Sequence, residues 1–118
     1  MLKKIAGQYR YLVAECQLLS EQLDDLDYEY TGDNPESLRL IVEIRDLLEK
    51  RIVRYLSECN QFEEWLRAVP DRFTRSIIAM RYIGGMSWAE IAAQTCNSPD
   101  AVKKIAYRQF EREVKNSA

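Results

Sequence analysis

Histidine is absent from this chain of 118 residues, and with it the commonest general base and a frequent zinc ligand. No other pairing of nucleophile and base stands in its place, so we expect no enzymatic activity, no cofactor, no metal site and no small-molecule substrate. Glycine and proline are scarce, at 4 and 3 residues, as is typical of proteins with long helices. The composition therefore predicts an all-α fold.

Long apolar runs are also missing. No stretch reaches the roughly 18 consecutive apolar residues of a membrane span, and the N-terminus alternates polar and apolar residues. We therefore expect neither a membrane span nor a signal peptide. The cysteines Cys16, Cys59 and Cys96 form no C-x-x-C pair and are odd in number, which indicates reduced thiols in a cytoplasmic protein.

Basic residues are missing between Arg10 and Arg39, a stretch that holds eight acidic residues. Residues 1–69 contain 9 basic and 14 acidic residues, a net charge of −5, whereas residues 70–118 contain 8 and 5, a net charge of +3. The overall charge of −2 is thus the sum of two unlike halves. The acidic run 15–36 is either a solvated helix face or a docking surface for a partner other than DNA.

Apolar side chains recur at alternating steps of three and four along residues 1–69, the pattern of a coiled-coil seam. The first set is Leu2, Ile5, Tyr9, Leu12, Cys16, Leu19, Leu23, Leu26 and Tyr30. The second set is Leu38, Ile41, Arg45, Leu48, Ile52, Tyr55, Cys59, Phe62 and Leu66, in which only Arg45 is not apolar. Between them, Gly32 permits a helix stop, Asn34 can cap the next helix, and Pro35 fits its first turn. The pattern predicts an antiparallel helical hairpin.

The hairpin register makes further predictions. It places Tyr30 opposite Leu38 and Cys16 near Ile52, too far from Cys59 for a disulfide. The charges that it brings together are Lys3 and Lys4 with Glu63 and Glu64, Arg39 and Arg45 with Asp24, Asp25 and Glu29, and Lys50 and Arg51 with Glu15 and Glu21. The apolar residues that it leaves uncovered are Leu40, Val42, Ile44, Leu47 and Leu56. We therefore expect the hairpin to form a homodimer or to bind a partner.

Residues 70–118 contain the start and stop signals of three more helices. The first helix is 70–83, with Pro70 in its first turn and Gly84-Gly85 as its stop. The second runs from 88 to about 94 and begins with a capping box of Ser87 and Glu90. The third runs from 99 to about 115, with Ser98 and Pro99 at its start. Two short helices, a three-residue turn at 95–97 and a basic third helix predict a helix-turn-helix, whose last helix enters the DNA major groove.

The last of these helices has two faces. The inward face consists of Val102, Ile105, Ala106, Phe110 and Val114. The outward face consists of Lys103, Lys104, Tyr107, Arg108, Arg112 and Lys115. An ordinary amphipathic helix with a solvated basic face would show the same pattern, but the capping box, the turn and the local positive charge favour DNA binding. We therefore assign 1–69 to a hairpin for dimerisation or docking and 70–118 to a DNA-binding domain.

Residues 72–92 read RFTRSIIAMRYIGGMSWAEIA and are followed by Ser98 and by Val102-Lys103-Lys104. This string resembles region 4 of sigma-70 class RNA polymerase sigma factors, and in particular the small sigma-like regulators of phages and integrated elements. The resemblance covers about the last 45 residues. For residues 1–69 it rests on length and helical character alone.

The resemblance implies DNA binding through the 98–115 helix, as region 4 binds a promoter element, and a contact with RNA polymerase. Carried over by position, Asp100, Lys103 and Lys104 face base edges, whereas Ser87, Tyr107 and Arg108 reach phosphates or adjacent edges. Ser98 and Arg112 belong to the same surface. Three positions depart from the family pattern: Cys96 replaces a common Gly in a left-handed turn, Asn97 an apolar residue, and Pro99 a base-reading Arg. We therefore expect either a target unlike a standard promoter or a drift towards a protein partner.

Three functions follow from these observations. The first is a sequence-specific, double-stranded-DNA-binding transcription regulator of phage or mobile-element type. The second is a DNA-packaging component akin to small terminase subunits, in which a helix-turn-helix and a coiled coil also occur together. The third is a helical adaptor of the anti-sigma or polymerase-binding kind, which uses the acidic hairpin and has no DNA affinity of its own.

Overall fold

The computed structural model describes the backbone of residues 2–29 and 34–117 and the side chains of residues 2–26 and 34–113. The helices are α1 (Leu2–Glu29), α2 (Pro35–Arg67), α3 (Arg72–Ile78) with a π-helical continuation (Ala79–Ile83), α4 (Trp88–Thr95) and α5 (Pro99–Ser117). The described residues contain no strand, and the predicted all-α class is confirmed. None of these helices, within the same residues, is long and apolar enough to cross a membrane. Residues 30–33 of the expected hairpin turn and the side chains of Val114 and Lys115 lie outside the described residues.

The chain divides into two compact units. One comprises Met1–Arg10 with Cys59–Ala118, and the other comprises Tyr11–Glu58. The first holds 12 basic and 7 acidic residues, a net charge of +5, and is called the basic unit. The second holds 5 basic and 12 acidic residues, a net charge of −7, and is called the acidic unit. The boundaries between the two units, after residues 10 and 58, differ from the division at residue 70 expected above. They also separate the charges more sharply.

The acidic unit consists of antiparallel segments of α1 and α2. The Sγ atom of Cys16 lies 4.0 Å from the carbonyl oxygen of Ile52, which confirms the predicted register. Leu12, Cys16 and Leu19 are buried, as the seam predicts. Burial also raises the pKa of the Cys16 thiol, which is therefore a weak nucleophile. None of Cys16, Cys59 and Cys96 is joined in a disulfide.

The α2 segment of the acidic unit is less buried than the seam predicts. Leu38 is 49% exposed, and its expected partner Tyr30 lies outside the described residues. The downstream Ile41, Leu48 and Ile52 are only half-buried. The flanking residues predicted to be uncovered are between 46% and 61% exposed: Leu40, Val42, Ile44, Leu47 and Leu56. α2 thus presents more apolar surface than the α1 segment of this unit covers.

The start of α2 and its ion pairs follow local rules. Asn34 Oδ1 accepts a hydrogen bond from the Glu36 amide at 3.0 Å and Pro35 opens the helix, both as predicted. Two ion pairs of this unit run along α2. They are Arg39 with Glu43 at 3.7 Å and Lys50 with Asp46 at 2.9 Å. Exposed pairs of this kind contribute about 0–1 kcal/mol, so they fix neither register nor stability.

The core of the basic unit is an aromatic cluster to which α1, α2 and α5 all contribute. Phe62 is fully buried, with its ring centroid 5.4 Å from Tyr9, 6.0 Å from Trp65 and 6.3 Å from Tyr82. Trp65 in turn stacks on Phe110 of α5 at 4.8 Å, with ring planes 16° apart. Aromatic side chains bury large areas and pack favourably at such distances. The last helix therefore depends on α2 for its core.

Tyr9 also makes a polar contact within this cluster. Its hydroxyl donates a hydrogen bond to Glu63 Oε1. Burial first, and then the Glu63 carboxylate, raise the pKa of Tyr9 to about 12. The phenol therefore remains a hydrogen-bond donor at neutral pH, and Glu63 is engaged by Tyr9. Lys3, the expected neighbour of Glu63, lies over the ring of Tyr107.

The connection from α2 to α3 is set by Asp71. Its Oδ2 accepts hydrogen bonds from the Thr74 amide at 2.9 Å and from the Thr74 hydroxyl at 2.6 Å. These bonds lower the pKa of Asp71. Since Asp71 is the N-cap, Pro70 precedes the helix, and its expected place in the first turn of α3 is wrong. A side chain that can accept two hydrogen bonds defines the start better than proline.

Between α3 and the predicted glycine stop lies a π-helical segment. The chain widens into a π-helical segment at Ala79–Ile83, closed by a bond from the Gly84 amide to the Ala79 carbonyl at 2.9 Å. A side chain at Gly84 would press on the Met80 carbonyl, and Gly85 adopts a φ of +73°, where glycine is favoured. Single π-turns of this kind are frequent at functional sites.

Candidate nucleic-acid interface

The start of α4 carries the predicted capping box. Ser87 Oγ accepts from the Glu90 amide at 3.1 Å, and Glu90 Oε1 accepts from the Ser87 amide at 3.4 Å. The same carboxylate accepts the hydroxyl proton of Ser87 at 3.0 Å. Because a serine hydroxyl has one hydrogen, Ser87 cannot donate to a phosphate while that proton is donated to Glu90. The implied phosphate contact of Ser87 thus requires the hydroxyl to turn away from Glu90, which the two backbone bonds of the box permit.

The turn between α4 and α5 contains a left-handed cysteine. Cys96 has φ 56° and ψ 42° and is the only described non-glycine residue with positive φ. Asn97 closes the turn: its amide bonds to the Ala92 carbonyl at 3.0 Å, and its Nδ2 bonds to the Thr95 carbonyl at 2.8 Å. The polar residue thus satisfies carbonyls at the end of α4 in place of an apolar contact.

Replacing Cys96 by Gly is expected to stabilise the protein by about 0.5–1 kcal/mol, because glycine adopts left-handed geometry without steric cost. The free energy of unfolding, from urea titration, checks this. Asn97→Gly is the matched control: its φ is not positive and its side chain is hydrogen-bonded, so it should be destabilised. Equal losses in both variants would contradict the prediction.

The first turn of α5 is built as the sequence predicts. Ser98 Oγ accepts a hydrogen bond from the Ala101 amide at 3.1 Å, and the Ser98 carbonyl accepts from the Val102 amide at 3.2 Å. Pro99 is the first residue of the helix, and Asp100 is exposed in its first turn. In contrast to Ser87, the Ser98 hydroxyl proton has no described acceptor, although the carboxylate of Asp100 places a negative charge beside it.

The two faces of α5 are confirmed over the described residues. Val102 and Ala106 are fully buried, Phe110 is 3% exposed, and Ile105 is half-buried. On the other face, the four exposed cations are Lys103, Lys104, Arg108 and Arg112. The contact described for Arg112 is a long hydrogen bond to Gln109 at 3.5 Å, on its own helix. These four side chains can therefore reach a large anionic surface.

Tyr107 is not on the free outer face where the sequence placed it. It is half-buried, its ring lies edge-on to Trp88 at 6.2 Å, and the Lys3 ammonium sits 3.8 Å from its centroid. The Lys103 ammonium is 5.6 Å from the same centroid. Tyr107 thus holds two cations together, and cation–π attraction orients both. Sequence reasoning missed Lys3, since no local pattern links the first turn of α1 to α5.

Arg81 is a further cation of the basic unit that sequence reasoning did not select. Its Nη1 donates to the Met86 carbonyl at 3.0 Å, and its guanidinium lies 5.0 Å from the ring of Trp88. Both contacts hold it beside the start of α4.

Comparison with protein-family models, with curated proteins and with solved structures finds no match to this chain.

Proposed function

We propose that this protein is a double-stranded-DNA-binding transcription regulator of phage or mobile-element type, with a sigma region 4-like helix-turn-helix. The observation that carries the proposal is the exposed row of cations on α5, opposite a buried apolar face. α4, the left-handed turn and α5 have the order and lengths of a helix-turn-helix, in which the last helix enters the major groove. The net charge of +5 on the basic unit supports it further.

In this proposal the predicted contacts, apart from that of Ser87, divide between base edges and the DNA backbone. Lys103 and Lys104 read base edges, with Asp100 beside them, while Arg108, Arg112 and Ser98 contact the flanking backbone. Tyr107 acts through the cations that it holds rather than by direct contact with DNA. A modest net positive charge gives weak, salt-sensitive binding by one copy, so a second copy or RNA polymerase strengthens the hold on the target site.

The test is a titration of labelled random-sequence duplex DNA with the full chain, in which fluorescence anisotropy measures binding at low and at moderate salt. Binding should be measurable at low salt and should weaken linearly on a plot of log K against log salt concentration. Absence of binding at low salt would overturn the proposal. A selection from a random duplex library then identifies the preferred sequence, and an unenriched pool would exclude sequence-specific recognition.

A second candidate function is that of an adaptor that binds a basic protein partner through the acidic unit. Its net charge of −7 and its exposed apolar flank favour this candidate. Charge complementarity of this kind speeds association with a cationic partner, while apolar residues supply affinity. The two candidates are distinguished by which unit the partner needs. DNA binding depends on the cations of α5, and adaptor binding depends on the acidic unit.

We further propose a homodimer formed through the exposed apolar residues of α2. Light scattering at physiological salt should then give about twice the chain mass of 13.9 kDa. Leu40→Gln/Leu47→Gln should be monomeric with unchanged helix content, because both side chains are exposed and glutamine is a good helix former. Glu43→Gln/Lys50→Gln, on polar positions of the same helix, is the control. A wild-type monomer at high concentration would contradict the dimer.

A further inference from the structure

A cleft of about 240 Å³ lies in the basic unit beside the glycine pair that follows the π-helical segment. Its lining residues are Ala6, Gly7, Arg10, Arg81, Tyr82 and Gly85. Among them, two carry a guanidinium group and none carries a carboxylate. The cleft is therefore positively charged and open to a small anion, and it is separate from the exposed face of α5.

One of the two guanidinium groups is held in position by a hydrogen bond and an aromatic ring, and the other lies against the glycine pair. Arg81 is fixed by its bond to the Met86 carbonyl and by the ring of Trp88. The Arg10 guanidinium lies against Gly85, at a place that a Cβ atom on Gly85 would occupy. An arginine has five N–H donors, so Arg81 keeps several after the bond to Met86. Anchored arginines lose less conformational entropy when they bind a ligand.

The α1 side of the cleft leaves room for a ligand. Apart from the neighbouring residues and nearby backbone of α1 itself, no atom lies within 4 Å of the place where a Cβ of Gly7 would be. Lys3, Gly7 and Arg10 are spaced by four and three residues, so they share one face of α1. The first of them reaches Tyr107 of α5, and the last lines the cleft. α1 therefore connects the cleft to the cationic surface of α5.

We propose that this cleft binds a phosphate group between Arg10 and Arg81. Guanidinium groups bind phosphate through paired, charge-assisted hydrogen bonds, and their planar geometry matches two phosphate oxygens. Gly7 supplies the space for the group. The phosphate comes either from the backbone of bound DNA, which rests on the proposed function, or from a free phosphate-bearing ligand, which does not.

The test has two arms and four forms of the full chain. In the first arm, inorganic phosphate is titrated against a chloride control of equal ionic strength while the amide NMR signals of Gly7 and Gly85 are followed. In the second arm, the salt dependence of random-duplex binding is measured. The forms are the wild type, Arg10→Gln, Gly7→Met and the control Arg39→Gln, whose exposed arginine lies in the acidic unit.

The variants are designed to fold. Arg10 is exposed, and glutamine is a good helix former. Gly7→Met adds a side chain at the lining of the cleft without a clash at its Cβ, keeps every charge and raises helix propensity. Amide spectra of each variant in the absence of phosphate verify the fold.

Saturable phosphate shifts are expected in the wild type and in Arg39→Gln, with binding about tenfold or more weaker in Arg10→Gln and Gly7→Met. A DNA salt slope reduced by about one in Arg10→Gln supports the backbone as the source of the phosphate. If the wild type shows saturable phosphate shifts while Arg10→Gln leaves the DNA salt slope unchanged, the result supports a free ligand. If the wild type binds phosphate but no DNA, the result supports the phosphate site and overturns only the proposed function.

Two results would overturn the phosphate site. One is that the wild type shows no saturable phosphate shift and that Arg10→Gln has the same DNA salt slope as Arg39→Gln. The other is that phosphate binding persists unchanged in both Arg10→Gln and Gly7→Met, which would place the bound ion elsewhere.

Discussion

Replacing both Lys103 and Lys104 by Ala is expected to weaken DNA binding by about 10- to 100-fold at low salt, because each lysine contact contributes on the order of 1 kcal/mol. Both side chains are exposed on α5, and alanine favours the helix, so the fold is retained. If the two ammonium groups contact phosphates, the salt slope falls by about two. If they contact base edges, the slope changes less and the preference among sequences relaxes. Fluorescence anisotropy on random and selected duplexes measures both.

The matched control for this variant is Arg39→Ala/Lys50→Ala. It makes the same change in net charge, but it removes two exposed cations from the acidic unit, where each is paired along α2. The control should bind DNA with nearly wild-type affinity, since both cations are already paired with carboxylates along α2 and neither belongs to the proposed contact surface. Equal losses in the two double variants would show that net charge, and not the surface of α5, determines binding.

Phe62→Ala is expected to destabilise the basic unit by about 3–5 kcal/mol, because a fully buried phenylalanine leaves a cavity that the core cannot close. Such a loss is a large part of the stability of a small domain, at about 5–15 kcal/mol. Both tryptophans, Trp65 and Trp88, lie in this unit. Tryptophan fluorescence during urea unfolding therefore reports on it selectively, whereas circular dichroism follows the helices of both units.

Phe73→Ala is the control for the cavity, because Phe73 is 40% exposed and should cost much less. Phe62→Ala should also weaken DNA binding near the transition midpoint, although Phe62 belongs to α2 and carries no charge. A Phe62→Ala variant as stable as Phe73→Ala would contradict the packing described for the aromatic cluster.

Features that depend on a few neighbouring residues were predictable from the sequence. Asn34 and Ser98 cap their helices, and the Ser87–Glu90 box starts α4, because each needs only a side-chain acceptor two or three residues before an unpaired amide. The inward face of α5 followed from its helical periodicity in the same way. The register of Cys16 with Ile52 was also predictable, since two continuous seams fix the pairing.

Features that depend on residues far apart in the chain were not predictable. The stacking of Trp65 on Phe110 and the contact of Lys3 with Tyr107 join segments about 45 and 100 residues apart, and no periodic pattern encodes such pairs. The π-helical segment was missed because no local pattern marks it, and its Tyr82 packs on Phe62 and Phe110, which are 20 and 28 residues away in the sequence. The commitment of the Ser87 proton to Glu90 is a matter of geometry rather than residue type.

The division of the chain also determines which lengths can vary. Residues 11–58 form an insertion in the sequence of the basic unit, whose two parts precede and follow it. Removing one heptad from each arm of this insertion would preserve the seam, because the pattern repeats every seven residues. The aromatic cluster and the cations of α5 would keep all of their described partners. The hairpin can therefore be shortened by whole heptads without the loss of a described contact in the basic unit.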